Sequence, residues 1–382
     1  RILVVNIALT FPSGLLDSMV SSQEKFLFQR LVTLAGIIFN PLVCLPLLLF
    51  GYGSVAIVSV TTLITIAKFI VNLVYCRKRL HIQFAFDELD FGILREIAGF
   101  SFFLFLNMII DQINWSVDKL ILGWVSGTQA VAVYGVGAQI NSLYIGFSTA
   151  VSSVFAPRVN RIAAEDALDM SRKFTNLFIR VGRIQYLILM LIASGFTIFG
   201  KFFITDIYSI IEYAEAYPVA LLLILPVTVP LIQNLGVEIQ RSMNKHQFRA
   251  IIYFIMAIIN AGISIPLAKR FGPVGSALGT AISLVVANGI IMNVYYHTCL
   301  KIDMIAFWKS ILALSKGMIV PILAGIMIMK YIVFRSLLQY LLFIAGYTAI
   351  YCVSMWCFGM NLEEKQLVLQ PIQKLAGKRS QN

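Results

Sequence analysis

Residues 31–50 read LVTLAGIIFNPLVCLPLLLF, twenty positions without a charged side chain. A helix needs about 20 predominantly apolar residues to cross the hydrocarbon core of a bilayer. The stretch is therefore read as a spanning helix, and the pattern continues on both sides of it. Ile2 to about Met19 is a further apolar run. Tyr52–Cys76 carries one charge, Lys68, and Ile97–Val117 carries one, Asp111. Leu120–Pro157 is uncharged and divides at Ser126-Gly127-Thr128, so its first part completes the preceding helix. More runs follow at about 180–200, 216–238, 250–268, 272–299, 310–330 and 336–360. The expectation is an all-α, polytopic integral membrane protein with about eleven transmembrane helices.

Composition supports this reading. Of 382 residues, 59% are hydrophobic and 13% charged, against about a quarter charged in ordinary soluble domains. Mean hydropathy is +0.86. A soluble core of this size could not hide so much apolar surface. The net charge of +12 would suggest nucleic acid in a soluble protein, but the basic residues gather in short loops between apolar runs. That distribution suits an anionic cytoplasmic leaflet, and nucleic acid is not expected. Cys44, Cys76, Cys299, Cys352 and Cys357 lie mostly inside apolar runs with no C-x-x-C pair, and His81, His246 and His297 are scattered. Free buried thiols are expected, with no zinc site and no cofactor.

Loop charge alternates. Lys25 and Arg30, then Arg77, Lys78, Arg79 and Arg95, then Arg158, Arg161, Arg172 and Lys173 belong to one set, which continues through Arg241, Lys245, Arg249, Lys301 and Lys309 to Lys365, Lys374, Lys378 and Arg379. The other set is nearly bare. The bias places the first set, and with it the C-terminal tail, in the cytoplasm.

An internal repeat is also legible. Phe26 and Phe248, Gly53 and Gly275, and Ser54 and Ser276 are each 222 residues apart (248 − 26, 275 − 53, 276 − 54). The order of loop, span, Gly-containing turn and span matches in both copies, which is the mark of a parallel repeat about an axis along the membrane normal. The second half opens near Leu94, so an equal first half would begin at 94 − 222 = −128. About 128 residues, room for three spans, would precede Arg1 in a protein of fourteen helices. The expected organisation is 1–80 as the remainder of an N-lobe, 81–93 as a linker, 94–302 as a C-lobe of six helices, 303–362 as a terminal helix pair and 363–382 as a tail.

Polar residues inside spans are costly and are the leading functional candidates. They form stripes at i, i+4, i+7, i+11, a single helical face: Asn6, Thr10, Ser13, Asp17; Thr61, Thr65, Lys68, Asn72; and Asn107, Asp111, Asn114, Asp118, with Lys119 alongside. The plain reading of the Ser and Thr positions is interhelical hydrogen bonding. The functional reading is a cationic, water-filled cavity, in which Lys68 and Arg180 attract an anionic headgroup and Asp111 exchanges a proton or sodium ion.

The stretch from Leu94 to Ala163 adds a family likeness. It contains Val117-Asp118-Lys119-Leu120-Ile121-Leu122-Gly123, then Tyr134-Gly135-Val136-Gly137, then Phe155-Ala156-Pro157-Arg158. The D-(K/R)-x-(I/L)-(I/L)-G element followed by Y-(G/N)-x-(A/G) resembles the polysaccharide-biosynthesis flippases, the O-antigen and capsule repeat-unit translocases of the MOP exporter superfamily. The resemblance implies a two-lobe helical bundle of the kind the related multidrug-extrusion family shares. It implies translocation of undecaprenyl-diphosphate-linked oligosaccharide across the bacterial inner membrane, coupled to a proton or sodium ion, with membrane lipids, a polysaccharide polymerase and a chain-length regulator as candidate partners. Asp111, Asp118 and Lys119 fall in the matched region; Lys68 and Arg180 are inferred from depth and charge. A multidrug or metabolite antiporter is the alternative, opposed by the extra helix pair after about residue 305. A membrane enzyme is opposed by the short external loop at about 201–215, with Lys201, Asp206, Glu212 and Glu215.

Overall fold

The computed structural model describes residues 2–23, 25–80, 116–164, 167–208, 213–243, 247–334 and 336–367, with the single positions 91, 92, 95, 98, 101, 245 and 369. The described residues are helical or in short turns, as lipid demands: a spanning segment must satisfy its own backbone N–H and C=O groups. The chain divides into two compact units, Arg1–Gly99 and Phe100–Asn382.

The first unit holds α1 (Ile2–Ser22), α2 (Phe26–Leu49) and α3 (Ser54–Lys78). Leu16 and Val20 of α1 meet Cys76 of α3 in its core. Gly51, at φ 83°, turns the chain between α2 and α3, a backbone conformation that a Cβ disfavours.

The second unit continues from a helix over 116–125 into α4 (Gly127–Ala163) and α5 (Ala167–Phe202). Next come α6 (Ala216–Ile232) and α7 (Leu235–Ser242), one apolar segment bent by 45°. Pro226 and Pro230 lie in the turns just before the break, where their missing N–H groups weaken the helical ladder. Beyond lie α8 (Gln247–Leu284), α9 (Met292–Thr298), α10 (Met304–Ser315), α11 (Ile319–Tyr331) and α12 (Leu337–Ser354). The segment Gln247–Thr298 is 52 residues long and doubles back at Gly272, whose φ of 56° and ψ of −135° leave the helical region. Each apolar run read in the sequence outside 97–115 coincides with a described helix. Six described helices are long and apolar enough to cross a membrane, or seven with the bent pair counted as one; α1 and α2 carry shorter apolar cores, Val4–Val20 and Leu31–Leu47. Leu338, Leu342, Ile258, Leu312 and many other large apolar side chains point outward. A surface this apolar fits hydrocarbon and not water.

The two limbs of α8 touch closely. A Cβ at Gly275 would stand 2.0 Å from the carbonyl oxygen of Leu267, and one at Gly279 would stand 2.2 Å from the hydroxyl of Ser264. Small residues at such crossings let helices approach within backbone contact.

The terminal helices are joined to α5 by polar contacts as well as apolar ones. Tyr351 donates to the carbonyl of Leu187 at 2.7 Å, Tyr340 donates to that of Phe199 at 3.3 Å, and Tyr186 shares a hydrogen bond with Ser315 at 2.6 Å. After α12, Asn361 and Glu364 cap each other: the Glu364 N–H donates to Asn361 Oδ1 and the Asn361 N–H to Glu364 Oε2, both at 2.9 Å. This reciprocal pair starts a short helical turn, and the same carboxylate accepts from Arg183 of α5.

Gly275→Ala tests the close crossing. It should destabilise the purified protein by about 1–3 kcal/mol through overpacking, read as a lowered thermal midpoint in detergent. Gly262→Ala, where an added Cβ meets nothing within 4 Å, should leave that midpoint unchanged.

Candidate functional site

Asp118 is 2% exposed and sits on the helix over 116–125. Its carboxylate is an acceptor, so a buried position requires donors. Three hydroxyls supply them. Tyr134 of α4 donates to Oδ2 at 2.8 Å, Thr280 of α8 donates to Oδ2 at 2.6 Å, and Ser276 of α8 donates to Oδ1 at 2.8 Å. The Asp and Tyr elements that carry the family likeness in the sequence are thus two halves of one hydrogen bond. Gly272 and Gly275 bring the third and fourth parties: the fold-back at Gly272 places Ser276 and Thr280 across from Asp118.

Beside this cluster lies a cavity of about 370 Å³. Asp118, Lys119, Tyr134 and Asn141 line it from one side; Arg249, Tyr253, Asn260, Thr280, Ser283 and Asn288 line it from the other. Asn288 reaches the cavity from the π-helical turn Val285–Ile291, where an extra residue per turn re-aims side chains. Tyr253 donates to Asn288 Oδ1 at 2.7 Å, and the Arg249 guanidinium lies over the Tyr253 ring, 4.7 Å from its centroid. Asn260 donates to Thr280 at 3.3 Å and accepts from Ser264 at 3.0 Å. On three of the lining residues, Asn141 Oδ1, Ser283 Oγ and Asn288 Nδ2 are buried without a hydrogen-bond partner among the described residues. Buried polar atoms in native proteins are almost always paired, so this wall holds spare hydrogen-bonding capacity just beneath the cavity surface.

The remaining predicted residues fall elsewhere. Asn107, Asp111 and Asn114 lie outside the described residues. Lys119 is exposed at the cavity rim. In the first unit, Asp17 accepts from Lys68 at 2.8 Å on one oxygen and from Asn72 at 2.8 Å on the other. The first two stripes therefore face each other, and the Lys68 charge is balanced inside the first unit. Asn6 of the first stripe donates to Thr62, which lies beside the second stripe, at 3.2 Å, whereas Thr61 and Thr65 bond back to their own helix. Arg180 lines a different hollow of the second unit from Asp118.

Sequence reasoning passed over Asn141, Arg249, Tyr253, Asn260, Ser283 and Asn288. The signal for two of them was present: Tyr253 and Asn260, with Ser264, fall at spacings of seven and four on α8, a polar stripe in an apolar run. Asn288 had no such signal, because the π-helical turn shifts the register.

Long apolar helices enclosing a polar, ligand-sized hollow define a multi-pass membrane protein. Within that class the chain belongs to the polysaccharide biosynthesis protein family, whose model matches residues 1–218. The fold is similar to that of a solved structure titled "Lipid II flippase MurJ, inward closed conformation", with a TM-score of 0.72 and 15% sequence identity, covering 92% of this chain and 72% of that chain. Among curated proteins, none matches the chain in sequence.

Tyr134→Phe removes one donor and leaves the Asp118 carboxylate short of a partner. It should lower stability by about 1–3 kcal/mol. In a double-mutant cycle, Asp118→Asn and Tyr134→Phe should combine less than additively, measured by thermal or chemical unfolding in detergent.

Proposed function

We propose that this chain translocates undecaprenyl-diphosphate-linked oligosaccharide repeat units across the bacterial inner membrane for O-antigen or capsule synthesis. The observation that carries the reading is the hydrogen-bonding wall of Asn, Ser, Thr and Tyr side chains, with the cations Lys119 and Arg249, in the cavity beside Asp118, in a chain of a polysaccharide biosynthesis family. Sugars present many hydroxyls and little charge. Unpaired Asn and Ser groups together with Tyr and Arg can exchange hydrogen bonds with hydroxyls without committing to one sugar. The solved flippase named above acts, by its title, on lipid II, and its similar fold supports a lipid-linked substrate here.

Ion coupling is assigned to Asp118. Its donors are neutral hydroxyls, so the carboxylate's charge is open to compensation by a proton or a sodium ion when the cavity changes sides. The bias of basic residues toward one set of loops supports a cytoplasmic C-terminus. Bilayer lipids surround the helices, and the polymerase and chain-length regulator that use the product are the expected protein partners.

Expression of the chain's gene in a strain lacking its own repeat-unit flippase tests the reading. Restored surface glycan is the expected result; drug resistance without glycan points to the related extrusion antiporters and removes it. Asp118→Asn, at equal protein level, should lower surface glycan on the order of 10-fold, the weight of roughly one lost charge-assisted hydrogen bond. Undiminished glycan removes Asp118 from the mechanism.

A further inference from the structure

A second hollow, about 670 Å³ in volume, lies apart from the Asp118 cavity and shares no lining residue with it. Three segments of the second unit meet around it. The end of α4 contributes Arg158 and Arg161, the first half of α5 contributes Lys173, Arg180 and Arg183, and the turn after α12 contributes Glu363 and Glu364. Arg183 and Glu364 neutralise each other: both are largely buried, and Nη2 donates to Oε2 at 2.8 Å. Among the described residues that line it, three further guanidinium groups, Arg158, Arg161 and Arg180, stand with one further carboxylate, Glu363. Arg158, Arg161 and Arg180 have no acidic partner among the described residues.

The placement of these charges is unfavourable for the protein alone. Arg158 and Arg161 are three residues apart on α4, and like charges at that spacing repel. Snorkelling to the headgroups explains lone arginines at a membrane interface. It does not explain arginines from two helices lining one concavity. The walls are also held rigid. Arg183 donates to Ser310 O and Oγ, to Gly359 O and to Glu364. The mutual cap of Asn361 and Glu364 fixes the third wall at the end of the same chain of bonds.

We infer that this hollow is a binding site for a phosphate-bearing anion, a phosphate monoester or diphosphate gripped by Arg158, Arg161 and Arg180. Guanidinium forks match phosphate oxygens two at a time, and cations converging from α4 and α5 supply charge that a diphosphate balances. Arg183 is a positioning residue: it locks the turn after α12 against α5 and thereby closes the third side. The inference does not depend on the transport reading, since it needs an anion to bind and nothing to cross the membrane. The anion's source is either a lipid-borne phosphate or a free one.

The test uses the purified full chain in neutral maltoside detergent and three probes titrated separately: inorganic pyrophosphate, farnesyl diphosphate and dioleoyl phosphatidylglycerol. Calorimetry reads affinity, and a thermal melt confirms folding of each variant. Saturable binding of farnesyl diphosphate alone assigns a lipid diphosphate. Equal binding of pyrophosphate assigns the free anion, whereas equal binding of phosphatidylglycerol, a phosphodiester, overturns the inference. In the first two cases Arg158→Gln with Arg180→Gln should weaken affinity about tenfold or more, as expected for lost charge-assisted bonds. Should that double variant fail to fold, Arg158→Lys with Arg180→Lys keeps the charge but not the fork and should still weaken binding. Lys330→Ala, on α11 and outside the hollow, should leave affinity unchanged. Absence of saturable binding by all three probes overturns the inference, as does binding that ignores folded substitutions at both arginines.

Discussion

A carboxylate inside an apolar helical bundle must be surrounded by donors, and this requirement organises the second unit. Asp118 takes hydroxyls from α4 and from the far limb of α8. To deliver them, α8 must fold back at Gly272 and cross itself at Gly275, where a side chain would strike the Leu267 backbone. The residues that make the polar cavity are consequences of the same fold-back: once the limb after Gly272 lies against the helix over 116–125, Asn260, Ser283 and Asn288 turn toward one space.

A second hub, Arg183, plays the corresponding part for the terminal helices. A buried guanidinium needs its donors satisfied, and Ser310, Gly359 and Glu364 come from segments widely spaced in the chain. Breaking such a pair on one side leaves an uncompensated buried charge, which is far costlier than the pair's net contribution to stability. The terminal pair is thus an integral part of the second unit, tied at one end by Arg183 and along its length by Tyr340 and Tyr351. This fastening also holds the arginines of α4 and α5 around one hollow.

In the first unit the same physics ends in balance. Asp17, Lys68 and Asn72 form a closed set between α1 and α3, so polar residues that stand out in sequence serve there to hold helices together. Two charges in apolar surroundings, Lys68 and Asp118, therefore have different standing. One meets an opposite charge and the other meets neutral hydroxyls beside an open cavity.

The sequence by itself determined that the chain is helical and lives in a bilayer. Unbroken apolar runs of spanning length have one stable form where no water can pair with the backbone, and that argument needs no partner element. It also carried the family likeness, through the Asp118 and Tyr134 elements. Stripe periodicity showed that Asp17 and Lys68 lie on polar faces, but not that the faces are turned to each other. Only tertiary structure decided which polar residues pair off and which remain open. That outcome depends on helix rotation and on departures from regular geometry, such as the reversal at Gly272 and the π-helical turn before Met292. A periodicity of 3.6 cannot be followed through either one. Residues such as Tyr134 and Ser276, separated by 142 positions (276 − 134), become neighbours because both must reach the same buried charge.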